Sequence, residues 1–216
     1  MSTVLTPKFR ASYVHVFKAR AIKAGDKAKF SITACYDQDA VDGTAEEIPG
    51  SLTLQALKKV ALDAAFEKFG NTDEVKKRIK SGKIKMPFIT PEEDEVGSKY
   101  PEGTALVMRY GTSDDSTKPG VVDRFPDKTG KAATITEMAD FYSGCYARAS
   151  VGVYAYDRPD SKGVTFMLNN VQKLGDGEPL AGGPRAAADE FAAIETAVPS
   201  PSNDGGDEDP MGLGSL

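Results

Sequence analysis

Residues 145–156 read Cys-Tyr-Ala-Arg-Ala-Ser-Val-Gly-Val-Tyr-Ala-Tyr, and this stretch decides the fold. Its odd positions, Cys145, Ala147, Ala149, Val151, Val153 and Ala155, are all small and apolar. Its even positions, Tyr146, Arg148, Ser150, Gly152, Tyr154 and Tyr156, are aromatic, cationic, small or bare. A period of two held over a dozen residues predicts a strand, because successive side chains of a strand point to opposite faces. An inner face built only from small apolar groups suits the interior of a narrow barrel.

Working outward, residues 163–172 predict a second strand, and the turn chemistry of Arg158-Pro159-Asp160 predicts a hairpin between the two. Towards the N-terminus, residues 8–20 and 28–36 alternate as strands around the turn Ala24-Gly25-Asp26, giving another antiparallel hairpin. In the first, Phe9, Ala11, Tyr13, His15 and Phe17 share one face, and Arg10, Ser12, Val14, Val16, Lys18 and Arg20 the other. In the second, Phe30, Ile32, Ala34 and Tyr36 share a face. Residues 104–110 predict a further strand, and 135–142 a short helix or connector. Residues 37–50 read as loop. Between the strand-rich halves, at about 51–82, lies a helical insert. Ser51 or Thr53 caps a helix ending at Gly70, with Leu54, Leu57, Ala61, Ala64 and Ala65 inward. A second helix over 73–81 turns Val75 and Ile79 inward and Lys76, Lys77, Arg78 and Lys80 outward. The expected organisation is thus a mainly β domain over 1–185 and an acidic, largely disordered tail over 186–216.

Charge divides along the same boundary. All 27 Lys and Arg stand at or before Arg185, against 25 of the 32 acids, so the body carries +2 and the tail −7. The overall charge of −5 averages two parts of opposite sign and misleads about partners. No run of eighteen apolar residues exists to span a membrane, and the opening MSTVLTPKFR lacks the apolar core of a secretory signal. Cys35 and Cys145 form no CxxC pair and His15 is the one histidine, so no zinc set and no cofactor motif is expected. The two thiols read as buried groups in a reducing compartment.

The even face of 145–156 is too polar for a second core and too aromatic for plain surface. Rings interleaved with a cation suit an unpaired nucleic-acid strand, whose bases stack for roughly 1–3 kcal/mol each regardless of sequence. Joined with the basic, aromatic N-terminal hairpin, this face gives Arg10, Tyr13, His15, Phe17, Lys18, Arg20, Tyr36, Tyr146, Arg148, Tyr154 and Tyr156 as candidate contacts for single-stranded DNA. The tail acids Asp204, Asp207, Glu208 and Asp209 are placed to compete for a cationic groove, since tethering gives roughly millimolar local concentration, or to meet partner proteins. Two other readings stand beside this one. The run Glu92-Glu93-Asp94-Glu95 offers carboxylates to a metal-dependent nuclease, and the basic N-terminus offers a protein-interaction surface without nucleic acid. The oligomeric state stays open, a homodimer included.

Ser143-Gly144-Cys145-Tyr146, Ala149, Tyr154-Ala155-Tyr156, Gly163-Val164, Phe166, Leu168 to Lys173 and Asp176-Gly177-Glu178-Pro179-Leu180 resemble the C-terminal signature of a family of bacteriophage single-stranded DNA-binding proteins. Ser12-Tyr13, Val16-Phe17 and Lys29-Phe30-Ser31 resemble its opening hairpin, so the likeness covers most of 7–191. The resemblance implies a five-stranded Greek-key OB-fold of the T7 type. It also implies a non-enzymatic role in phage DNA replication, recombination or repair, in the cytoplasm of an infected bacterium, with replication or recombination proteins meeting the tail. Tails of this family often end in an aromatic residue. This one ends Met211-Gly212-Leu213-Gly214-Ser215-Leu216, a departure that weakens the expectation of docking through the tail.

Overall fold

The computed structural model describes residues 3–21, 25–94 and 99–180. In chain order these form β1 (Thr3–Leu5), β2 (Phe9–Arg20), β3 (Lys29–Tyr36), α1 (Gln38–Asp42), α2 (Leu54–Phe69), α3 (Asp73–Lys80) and β4 (Phe88–Ile89). There follow β5 (Leu106–Gly111), β6 (Gly120–Pro126), β7 (Ala132–Thr134), β8 (Tyr146–Asp157) and β9 (Lys162–Gly175). Five strands close on themselves. β2 pairs with β3, β3 with β5, β5 with β9 in parallel, β9 with β8, and β8 with β2. This is the OB-fold plan, a five-stranded Greek-key barrel. β1 extends the N-terminal strand along β8, and the β6–β7 hairpin adds to β9.

The interior explains the small odd positions of β8. Ala147, Ala149, Ala11 and Ala34 are fully buried and leave room for four large rings. Phe9 meets Tyr36 and Tyr110 edge-on, both at 5.9 Å, and Tyr110 meets Phe166 at 6.2 Å. The Tyr36 and Tyr110 hydroxyls satisfy one another at 2.7 Å, which burial requires of them. The predicted helices are present. Thr53 accepts from the Ala56 amide at the start of α2, and Thr72 from the Val75 amide at the start of α3. Leu54, Leu57, Ala61 and Ala65 are buried against the barrel, while Ala64 is half-buried.

Several expectations need correction. Part of the predicted loop 37–50 is the short helix α1, held between Asp37 as its cap and Gly43 in the left-handed region. Of the two readings of residues 135–142, helix or connector, the connector is the one present. Strand β2 does not alternate unbroken. Ser12 pairs with Thr33 but His15 with Ser31, so one extra residue is inserted on β2. The bulge exchanges the faces. Before it Phe9 and Ala11 point inward, and after it Val16 does, at 0% exposure, although it was grouped with Lys18 and Arg20.

The stretch 143–180 that carries the family signature has a structural reason. Residues 176–180 lie back across 143–146. The Leu180 amide donates to the Ser143 carbonyl (2.8 Å), the Tyr142 hydroxyl to the Gly177 carbonyl (3.0 Å), and Arg10 Nη2 to the Glu178 carbonyl (2.9 Å). Gly144 has φ +123°, and a Cβ there would fall 2.2 Å from the Glu178 carbonyl oxygen. The proposed boundary at 185 and the tail, with Asp204, Asp207, Glu208 and Asp209, lie outside the described residues.

Candidate nucleic-acid interface

The register of the barrel builds one band on its outer wall. Thr33 pairs with Arg109, the Tyr110–Phe166 pair sets Arg109 beside Thr165, and Thr165 pairs with Tyr154. Tyr13, the bulged residue next to Ser12, begins the line. The band therefore runs Tyr13, Thr33, Arg109, Thr165, Tyr154. It crosses four inter-strand gaps, roughly 19 Å at about 4.8 Å each. Strands of a narrow barrel tilt steeply to its axis, so a line across them climbs one side of the wall.

Tyr13 has φ +46°, the one positive φ outside glycine among the described residues. A tyrosine there costs on the order of 1–3 kcal/mol and persists where the surroundings over-determine it. Its hydroxyl accepts from the Lys99 amide at 3.1 Å, its ring meets Tyr100 edge-on at 6.4 Å, and it stays 43% exposed. Tyr100 in turn joins an ionic group. Arg109 Nη2 donates to Asp94 Oδ1 (2.7 Å) and to the Tyr100 hydroxyl (2.8 Å), which donates to Asp94 Oδ2 (2.7 Å). Burial of the Arg109 guanidinium works against its charge, but the bonds and charges of Asp94 and Tyr100 together more than offset this and hold its pKa above the ordinary value. The arginine is thereby aimed along the wall with its side chain 43% exposed.

At the other end, Tyr154 is 43% exposed. Two residues on and on the same face, Tyr156 is half-buried with the Arg158 guanidinium 5.5 Å from its ring centre. Above the band, His15, Ser31 and Gly111 pair in a second row. Burial, and next the charge of Arg20, lower the pKa of His15, which keeps it neutral near pH 7. Phe17 is half-buried under the Lys118 ammonium, 5.8 Å away, and Lys18 and Arg20 are exposed.

Four candidates lie elsewhere: Tyr36, Arg148, Tyr146, and Arg10, whose Nη2 is taken up by the Glu178 carbonyl. Tyr36 is 1% exposed and belongs to the core, on the inward face of β3 that it shares with Phe30, Ile32 and Ala34. Arg148 is committed to the fold: Nε donates to Gln172 Oε1 (2.8 Å) and Nη1 to the Pro49 carbonyl (2.8 Å), pinning the loop ahead of α2. Tyr146 pairs with Arg10 at the opposite end of β8 from Tyr154, against Gly177, in a shallow groove shared with Lys8 and Arg124. Arg109, Tyr100 and Arg158 were missed. Arg109 carried a signal, as the lone cation in an otherwise apolar strand; Tyr100, in an irregular stretch, carried none. The acidic run expected of a nuclease is partly used up in structure, with Asp94 on Arg109 and Glu93 accepting from the Thr90 amide. No cluster of three metal-ligating side chains exists among the described residues, and no described helix is long and apolar enough to cross a membrane.

Residues 2–200 match the family model described as Enterobacter phage Enc34, ssDNA-binding protein. The chain belongs to this family of phage single-stranded DNA-binding proteins. It is a family of binding proteins, not of enzymes. Protein p50 of Acyrthosiphon pisum secondary endosymbiont phage 1 is 33% identical over 154 residues, covering 69% of this chain and 77% of that protein. The fold resembles that of the bacteriophage Enc34 single-stranded DNA-binding protein solved in complex with ssDNA. That match has TM-score 0.55 and 18% identity, covering 83% of this chain and 89% of that one. It also resembles gp2.5, a single-stranded DNA-binding protein encoded by bacteriophage T7, with TM-score 0.51 and 14% identity over 92% of this chain and 99% of that one.

Proposed function

We propose that this member of the family binds single-stranded DNA without sequence preference along the band from Tyr13 to Tyr154. The observation that carries the reading is the band itself, two exposed tyrosines flanking a fixed arginine on one barrel wall. Bases stack on the rings, Arg109 meets a phosphate or stacks, and Lys18, Arg20 and Lys118 supply charge at one edge. The OB-fold plan supports the same location, since oligonucleotides lie on the second and third strands and the loops at either end. Here those strands are β3 and β5, and the far loop is Arg158–Ser161.

In this reading the protein covers single strands during phage DNA replication, recombination and repair, in the cytoplasm of the infected bacterium. The tail acids compete with DNA and, once displaced, meet replication or recombination proteins. The family relationship supports the first part and the charge division the second. Binding to fluorescent oligo-dT, followed by anisotropy across a salt series, tests it. The logarithm of the affinity falls with the logarithm of salt, with a slope of about −0.7 per phosphate neutralised. Absence of binding at low salt overturns it.

A further inference from the structure

The helical insert carries charge that the band does not use. Residues 76–85 read Lys-Lys-Arg-Ile-Lys-Ser-Gly-Lys-Ile-Lys, six cations and no acid. Lys76, Lys77, Lys80, Lys83 and Lys85 are exposed. The helix dipole accounts for cations in the last turn of α3, where they face its negative end. It does not account for Lys83 and Lys85, which lie beyond the helix. These two are held in place. Ile84 between them is 0% exposed, and its amide donates to the Arg78 carbonyl at 3.1 Å, folding the segment back onto α3.

The segment is also stitched into the barrel wall. The Lys85 amide donates to the Lys162 carbonyl (2.9 Å), and the Lys85 carbonyl accepts from the Val164 amide (2.9 Å). Gly163 lies between, and a Cβ there would meet the Lys85 carbonyl oxygen at 2.4 Å and the Tyr156 hydroxyl at 2.8 Å. The basic segment therefore touches the end of the band, where Tyr156, Arg158 and Lys162 stand. On α2, Lys58 lies 5.8 Å from the Phe88 ring, beside the same segment.

We infer that the single strand continues past the β8–β9 hairpin onto the insert, where Lys85, Lys83, Lys80 and Lys77 neutralise its phosphates. This rests on the function proposed above and extends the interface from the barrel to a second element. The barrel end reads bases by stacking. The insert contributes charge alone, so it lengthens the site without adding sequence preference. Because the turn is already fixed, little ordering cost opposes binding there.

The test compares the wild-type chain with Lys77→Gln/Lys80→Gln/Lys83→Gln, three exposed residues that form no ion pair among the described residues. Anisotropy is measured on oligo-dT of increasing length over a salt series, with thermal midpoints to check folding. On the shortest oligonucleotide that wild type binds, the variant matches it within twofold. On longer ones it loses the gain that wild type shows, and its log–log salt slope is shallower by about 2, three contacts at about 0.7 each. Equal behaviour at all lengths, or equal loss at all lengths, overturns the inference and leaves the barrel reading intact. If wild type itself binds no oligonucleotide, both fall. The measurement is repeated in full-length chains with Asp204, Asp207, Glu208 and Asp209 changed to Asn or Gln. An effect of the lysines that vanishes in that background shows that they hold the tail, and overturns the DNA assignment.

Discussion

Tyr13 and His15 show how much two residues beside a bulge determine. The extra residue turns Tyr13 outward at φ +46° and Val16 inward, and it sets His15 opposite Ser31 at the rim of the band. Burial foremost, then the Arg20 charge, lowers the His15 pKa from 6.5. In the free protein His15 is therefore neutral until the pH falls below that value. A phosphate beside it favours the charged ring, so bound His15 titrates higher than free His15 and binding takes up a proton between the two pKa values. Affinity for oligo-dT is expected to rise as pH falls from 7.5 to 5.5, by up to about tenfold for each unit of pKa difference. His15→Gln is expected to flatten this rise, as anisotropy at both pH values will show. The same lowering acts in the opposite sense on folding: the unfolded chain binds the proton first, so stability declines as pH falls through this window.

Among the elements, β8 was legible because it is long and alternates, with one face committed to the core, and β9 because it is long and apolar, although an extra residue at Asn169 shifts its buried set from Val164, Phe166 and Leu168 to Val171. Tyr154 was legible for a related reason, as a ring on the face the core did not need, whereas Tyr13 shares the period of the buried Phe9 and Ala11 and reaches the outer wall only through the bulge. β1 has three residues and β6 mixes Asp123, Arg124 and Pro126 with its apolar positions, so neither left a period to read. Arg148 misled because its partner at Pro49 is 99 residues away in sequence. Arg109 and Tyr100 join the site only through strand register and a loop contact, which no local pattern encodes. The segment 176–180 was legible as letters and not as mechanics. Its docking depends on the bare backbone of Gly144 against Glu178. Gly144→Ala is expected to lower unfolding stability by about 3 kcal/mol, from the strained φ and the backbone clash together, as a urea titration will measure.

At the scale of the molecule, the chain separates tasks by charge and by closure. A body of +2 carries the barrel, and the −7 lies in the 31 residues that follow it. Closing five strands into a ring gives a wall on which residues from five distant segments share one line. Segment 84–89 joins that wall on both sides, Lys85 on β9 and β4 on β5, and so ties the helical insert to it. The central claim is that DNA follows the line from Tyr13 to Tyr154, not the whole outer face of β8. Tyr146 and Tyr154 lie on the same strand with similar exposure, 38% and 43%, and only Tyr154 is on the line. The most direct measurement is anisotropy on oligo-dT with Tyr154→Ala and Tyr146→Ala side by side. Loss of a stacked base at Tyr154 is expected to weaken binding roughly 5- to 150-fold, with Tyr146→Ala within twofold of wild type. A loss at Tyr146 equal to or greater than that at Tyr154 would contradict the account.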